Sequence, residues 1–277
     1  MLKNDPMKLS ASERTRLVTQ YGTWALVTGA SSGIGRELAE RLAEAGLNLL
    51  IVARNEQALT ELATAWRTRY GVQVEVLAAD LGEAAGIAAV IAASRAFDVG
   101  LLVAAAGFGT SGRFAEGDVA AERAMLAVNC GALMELSLHF ARVLAARGRG
   151  GIILLSSMVA FQGVPFAAHY AATKAYVQTF AEALRRELRP SGVDVLAAAP
   201  GPVYSGFADR ANMVMSMALR PEDVGVPILR ALGRKTTVLP GLLTKVLVYS
   251  LQTVPRWAKV RIMAKVMGGM TAHQRGG

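Results

Sequence analysis

One passage constrains this chain more than any other. An apolar run at 24–28 passes directly into a glycine-rich turn made of Gly29, Ser31, Ser32, Gly33, Ile34 and Gly35. The turn opens into a helix at 36–45, with Leu38, Leu42 and Ala45 on one face and Arg36, Glu40 and Glu44 on another. Glycines here permit a tight turn, a close approach of backbone to a pyrophosphate and close helix–strand packing. The helix N-terminus offers free N–H groups and the positive end of its dipole to an anion. A helix that follows a strand this closely returns over the sheet, so the next strand lies parallel to the first.

The rest of the chain repeats the pattern. Short apolar runs at 48–53, 73–79, 99–105, 151–156 and 193–199 predict buried strands. Segments of helical period lie at 56–70, 122–146 and 171–188. Continuously apolar strands alternating with helices point to an α/β fold: a Rossmann-type doubly wound parallel sheet with helices on both faces. With 53% hydrophobic and 18% charged residues the chain can bury a large core, and disorder is excluded as its main state. No linker or repeat divides it. We therefore expect a helical arm over 1–22, one Rossmann domain over 23–240 and a helical tail over 241–277. Ser10 and Glu13 form a capping-box pattern and predict a short helix at 10–20, packed on the body.

The net charge of +9 is unevenly placed. No acidic residue follows Asp223, and nine basic ones do, which leaves 21 of each sign in residues 1–223. The body is neutral, so a nucleic-acid partner is not expected. The single cysteine, Cys130, excludes an internal disulfide, and with only His139, His169 and His273 a zinc site is not expected either. The N-terminus carries Lys3, Asp5, Lys8, Glu13, Arg14 and Arg16 without an apolar run, unlike a secretory signal. A cytoplasmic protein is expected.

Between Leu9 and Arg234 the chain has one lysine, Lys174, four residues after Tyr170. On a helix that spacing puts phenol and ammonium on one face. Reducing a ketone requires a proton at oxygen while hydride reaches carbon. A phenol with a reference pKa of about 10 needs a neighbouring cation to serve at neutral pH. Lysine suits this role because its compact ammonium can also bond a hydroxyl and relay protons through water. The serines at the end of the preceding strand, Ser156 and Ser157, stand close enough in sequence to bond a substrate oxygen as charge develops there.

These motifs resemble those of the short-chain dehydrogenases/reductases over residues 22 to 205. The resemblance rests on Thr28, Gly29, Gly33 and Gly35, on Tyr170 and Lys174, and on Ser157 thirteen residues before the tyrosine. It implies a nicotinamide cofactor and a catalytic set of Asn129, Ser157, Tyr170 and Lys174, with Asn129 holding a proton-relay water. It also implies an adenine contact at Asp80 and Leu81. It places Ala106 and Gly107 beside the cofactor, and Pro200, Gly201, Val203 and Ser205 over the nicotinamide. One departure stands out: where the family has Asn-Asn-Ala-Gly, this chain has Ala104, Ala105, Ala106 and Gly107. Altered bracing or weaker cofactor binding is expected there.

The second strand ends at Ala53 and is followed by Arg54. An acidic residue there would favour a ribose 2′-OH, whereas a guanidinium pairs with a 2′-phosphate, so NADP(H) is expected. The substrate loops carry Phe108, Met158, Phe161, Val164, Pro165 and Phe166, and a later segment adds Met213, Met215 and Met217. A hydrophobic ketone or alcohol of steroid, lipid or acyl type fits these side chains. Two alternatives stand beside it: a 3-oxoacyl thioester reductase, and a catalytically idle cofactor-binding scaffold. The tail predicts two apolar, basic helices meeting near Pro255. We expect them to pack on their own domain or on a sister subunit of a dimer or tetramer. Peripheral membrane contact is a secondary expectation.

Overall fold

The computed structural model describes residues 7–215 and 218–275. Met217, Lys3 and Asp5 lie outside them. Seven parallel strands form one sheet in the order β3-β2-β1-β4-β5-β6-β7. They are β1 Trp24–Thr28, β2 Asn48–Ala53, β3 Val74–Ala78, β4 Val99–Ala104, β5 Gly150–Leu155, β6 Val193–Ala198 and β7 Thr237–Val238. The two-residue β7 is too short to leave a periodic signal in the sequence.

Side chains alternate across the sheet and fill two cores. Ala25, Val27, Ile51, Val103 and Ile153 pack on one face, while Leu26, Leu50, Val52, Leu102 and Ile152 pack on the other. Each fully buried leucine or isoleucine contributes about 1.5–3 kcal/mol. Helix α2 (Gly33–Glu44) and α3 (Glu56–Tyr70) cover the first face. The second is covered by α4 (Ala84–Ser94), by α6 (Leu133–Arg147), which continues from α5 (Val119–Leu126), and by α7 (Ala168–Leu188). α4 was not anticipated: its alanine-rich sequence is apolar all round and has no amphipathic period. The stretch Val119–Arg147 is long and apolar enough to cross a membrane by composition, but half of its apolar 18-residue window is buried within the protein.

The N-terminal helix α1 (Ala11–Tyr21) carries both bonds of the capping box between Ser10 and Glu13. Its Leu17 and Tyr21 are fully buried, and the Tyr21 hydroxyl donates to Asp194. At the other end, α8 (Phe207–Arg210) and α9 (Glu222–Ala231) precede β7. The tail forms α10 (Leu242–Gln252) and α11 (Arg256–Met270), packed on the body through Thr244, Val248, Met263 and Met267.

Candidate active site

β1 ends at Thr28, and the chain turns at Gly29 with φ of +67°. A Cβ on Gly35 would lie 2.3 Å from the carbonyl oxygen of Gly29. Only glycine lets α2 sit this close to the end of β1. The side chain of Ser32, which caps α2, accepts no capping hydrogen bond, so the first N–H groups of the helix remain available to an anion.

These groups open on a cleft of about 770 Å³ at the C-terminal ends of β1 and β4, where the strand order reverses direction. Open α/β sheets bind ligands at this point. Gly29, Ser31, Ser32, Gly33, Ile34, Gly35, Arg54, Asp80, Leu81, Ala106, Gly107, Lys174, Pro200 and Ser205 all line it. Gly201, Val203 and Tyr170, also expected at the cofactor, do not line it. Gly201 packs against Thr244 of α10, and Val203 is bridged to Leu219. Arg123 and Arg210 line the cleft as well, and no ion pair engages these or Arg54 among the described residues. Arg210 stacks on Phe108 with its guanidinium carbon 3.6 Å from the ring centroid. Partial burial, and then the charge of Arg54, lower the pKa of Arg210 against the opposing pull of Asp80.

α7 sets Tyr170 and Lys174 one turn apart, 8% and 7% exposed. Lys174 Nζ donates to the carbonyl oxygen of Leu155 at 2.8 Å and stands 5.8 Å from the centre of the Tyr170 ring. Burial lowers the Lys174 pKa to about 8, with Cys130 opposing. Burial raises the Tyr170 phenol above its ordinary value, while the Ser157 hydroxyl pulls it down by hydrogen bonding. Ser156 donates to the carbonyl oxygen of Lys174 at 3.1 Å and so ties α7 to β5, which leaves Ser157 as the hydroxyl facing the tyrosine.

Between α5 and α6 the helix widens into a π turn at Ala127–Ala132, a distortion found frequently at functional sites. Asn129 sits in this turn, 1% exposed. Its Nδ2 donates to Phe108 O at 2.8 Å and to Thr173 Oγ1 at 3.1 Å, and its Oδ1 accepts from Phe108 N at 3.0 Å. The amide thus clamps the loop after β4 to α7. A Cβ on Gly107 would lie 2.9 Å from Asn129 Oδ1 and 3.5 Å from Lys174 Nζ, so glycine lets the loop close on both.

Residues 23–214 match the family model for short chain dehydrogenases. The chain belongs to the short-chain dehydrogenase family. It is 32% identical over 230 residues to a 7beta-hydroxysteroid dehydrogenase of Clostridium sardiniense, covering 82% of this chain and 88% of that one. It is also 35% identical over 182 residues to a very-long-chain 3-oxoacyl-CoA reductase of Podospora anserina, covering 63% of this chain and 53% of the relative. Among solved structures, a 7beta-hydroxysteroid dehydrogenase studied for its stereoselectivity superposes with a TM-score of 0.83 at 28% identity, over 90% of this chain and 99% of that one. A short-chain dehydrogenase from Sphingobium yanoikuyae in complex with NADPH gives 0.77 at 31% identity, over 85% and 97%.

Within this short-chain dehydrogenase the loop that lacks the two asparagines is braced by Thr28. Its hydroxyl accepts from the amides of Ala105 and Ala106, both at 3.1 Å, and joins β1 to the end of β4 without a side-chain amide. On the side where the sequence led us to expect substrate, Phe108, Val164, Phe166, Tyr170, Phe207 and Met213 form one apolar cluster. Phe207 lies 5.1 Å from Tyr170 between ring centroids. Met158 and Phe161 instead join a small cluster under α10 with Leu239 and Val248. Sequence reasoning missed that Met263, Met267 and Met270 of α11 belong to the Tyr170 cluster. The chain end is fastened there as well. Val214 N donates to Met270 O at 2.9 Å, Gln274 donates to Ser111 Oγ at 2.9 Å, and His273 bonds Asn212 at 3.0 Å. The methionines at 263, 267 and 270 were visible in the sequence, but nothing in it says which surface a tail crosses.

Proposed function

We propose that the protein is an NADP(H)-dependent oxidoreductase that interconverts a hydrophobic ketone or aldehyde and its alcohol. A bulky ring system such as a hydroxysteroid is the first substrate class to test. The observation that carries this reading is the apolar cluster of Phe108, Val164, Phe207, Met263 and Met267 built directly around Tyr170. The likeness to 7beta-hydroxysteroid dehydrogenases supports the same class. Arg54 and Arg210, without ion pairs at the cleft, support NADP(H), since guanidinium groups suit phosphate.

The dinucleotide supplies or accepts the hydride when it is bound. Tyr170 gives its phenolic proton to the carbonyl oxygen in reduction and recovers it in oxidation. Ser157 donates a hydrogen bond to the same oxygen as negative charge gathers there. Lys174, when protonated, favours the phenolate through its charge. Because the Tyr170 pKa is raised, the phenol keeps its proton at neutral pH, which is the state that carbonyl reduction needs. Alcohol oxidation needs the phenolate and gains rate as pH rises. Leu126, Met134 and Leu138 on the long helix and Tyr176 on α7 are exposed apolar side chains, and they support assembly into a homo-oligomer, a dimer or tetramer.

Reduction of a 3-oxoacyl thioester is the second reading, favoured by the very-long-chain 3-oxoacyl-CoA reductases among the relatives. One panel separates the two: hydroxysteroids, bulky ketones and 3-oxoacyl thioesters, followed by NADPH absorbance. Turnover confined to the thioesters would replace the first reading by the second. Equal use of NADH and NADPH would sink the cofactor assignment.

A further inference from the structure

The tail presents two faces of unlike chemistry. The inner faces of α10 and α11 are spent on the body, through Thr244 and Val248 and through Met263 and Met267. The outer face of α10 is nonetheless apolar. Leu242, Val246 and Tyr249 are 77%, 55% and 58% exposed, and Trp257 at the start of α11 is 64% exposed. A soluble surface seldom gathers such side chains without something to cover them. Lys245 on α10 and Arg256, Arg261 and Lys265 on α11 are exposed, the Arg261 guanidinium lies over the Trp257 ring at 5.0 Å from its centre, and no acidic side chain follows Asp223.

We infer that the exposed face of α10, with the start of α11, docks on an anionic lipid surface. Charge decides between the candidate covers. A two-fold interface with a second copy brings the same patch against itself. It would set these cations against their own copies, and the tail has no acidic residue to pair them. Phosphate headgroups supply that missing charge, and exposed leucines with a tryptophan at the helix junction suit the headgroup–acyl boundary. The arrangement differs from a membrane span, because α10 and α11 have 11 and 15 residues and their inner faces hold protein. Docking needs neither turnover nor cofactor, so it stands or falls separately from the proposed reaction.

The test is flotation of the full-length protein with vesicles of phosphatidylcholine alone and of equimolar phosphatidylcholine and phosphatidylserine. Light scattering on the same samples reads the oligomeric state. The protein floats with the mixed vesicles, stays behind with phosphatidylcholine alone, and loses binding as salt rises. Each cation removed lowers partitioning roughly fivefold, so the Lys245→Glu, Arg261→Glu, Lys265→Glu variant loses about a hundredfold or more. A Leu242→Ser, Val246→Ser, Trp257→Ser variant also loses binding, with unchanged circular dichroism and oligomer size, since all three side chains point outward. Absence of flotation with the mixed vesicles overturns the inference. So does an apolar-face variant that falls to a smaller oligomer, which would identify the patch as a contact between copies. Flotation that is equally strong with both vesicles overturns the charge argument and with it the choice of an anionic surface.

Discussion

The two ends of the cleft are built in opposite ways. The end proposed for the cofactor is open, and it is made largely from short local segments: the turn at Gly29–Gly35, the strand end at Arg54, and the loop at Ala106 and Gly107. The end proposed for the substrate is apolar, and it is made from distant segments that meet around Tyr170, among them residues near 108, 125, 164, 207 and 263–270. Tyr170 and Lys174 of α7, the proposed catalytic side chains, stand at the seam. A dinucleotide is a fixed ligand that one local motif can recognise. A substrate wall is a volume that any apolar side chain can fill, so it leaves no motif. If this contrast is right, substitutions at the seam, the wall and the phosphate end should have separable effects.

The largest separation is expected at the seam. Tyr170→Phe deletes one hydroxyl and leaves the ring packed on Phe207. A positioned general acid contributes on the order of 10²–10⁴-fold, so turnover falls by about that factor while the affinity for cofactor holds. Stopped turnover assays beside fluorescence titration with NADPH read both. A variant that keeps most of its turnover removes Tyr170 from proton transfer.

At the wall, Met267→Ala empties a buried site between the tail and the Tyr170 cluster. Truncating a buried methionine costs about 2–5 kcal/mol, seen as a lower midpoint in thermal or denaturant unfolding. The KM for an apolar ketone should rise while cofactor affinity does not. Loss of cofactor affinity instead would mean that the two ends are not separate.

The same contrast explains what was legible in the sequence. Six strands and the phosphate turn could be read because continuous apolar runs and glycines act locally: Gly35 must lack a side chain whatever the rest of the fold does. The pairing of Tyr170 and Lys174 was legible because four residues make one helical turn. The bracing by Thr28 was hidden, because its hydroxyl accepts from backbone amides at the end of another strand and a threonine at a strand end has many uses. The position of α11 was hidden too. Met263 and Met267 show a helical spacing, but only tertiary packing determines that they meet Tyr170 and not some other patch of the body. α4 escaped because a helix apolar on every side shows no period.

At the phosphate end, Arg54→Asp exchanges attraction to a 2′-phosphate for repulsion. A charge-assisted hydrogen bond contributes about 1.5–3 kcal/mol, so NADPH should weaken by roughly tenfold or more while NADH changes little. Arg210→Ala should lower affinity for both dinucleotides if it serves the shared pyrophosphate, and for NADPH alone if it joins Arg54. Titration of both cofactors with both variants distinguishes these. Unchanged NADPH binding in Arg54→Asp would leave the phosphate end without a specificity residue.

The smallest effect concerns stability and returns to the seam. Lys174 is buried, and its pKa falls from 10.5 to about 8. Below pH 8 the side chain is charged in both the folded and the unfolded chain, and only the folded chain carries the burial penalty. Between pH 8 and 10.5 the folded protein has lost this proton and the unfolded chain still holds it, so stability rises with pH across that window. Above it both forms are neutral and the penalty is gone. Lys174→Met keeps the length of the side chain and removes the charge. It also leaves Leu155 O without its donor, which offsets part of the gain. The variant should therefore be inactive yet more stable at pH 7, by about 1–2 kcal/mol in urea unfolding. Its advantage should shrink as pH climbs from 8 to 10.5. A gain that does not change with pH would assign the effect to packing, and a loss at pH 7 would mean that the bond to Leu155 outweighs the buried charge.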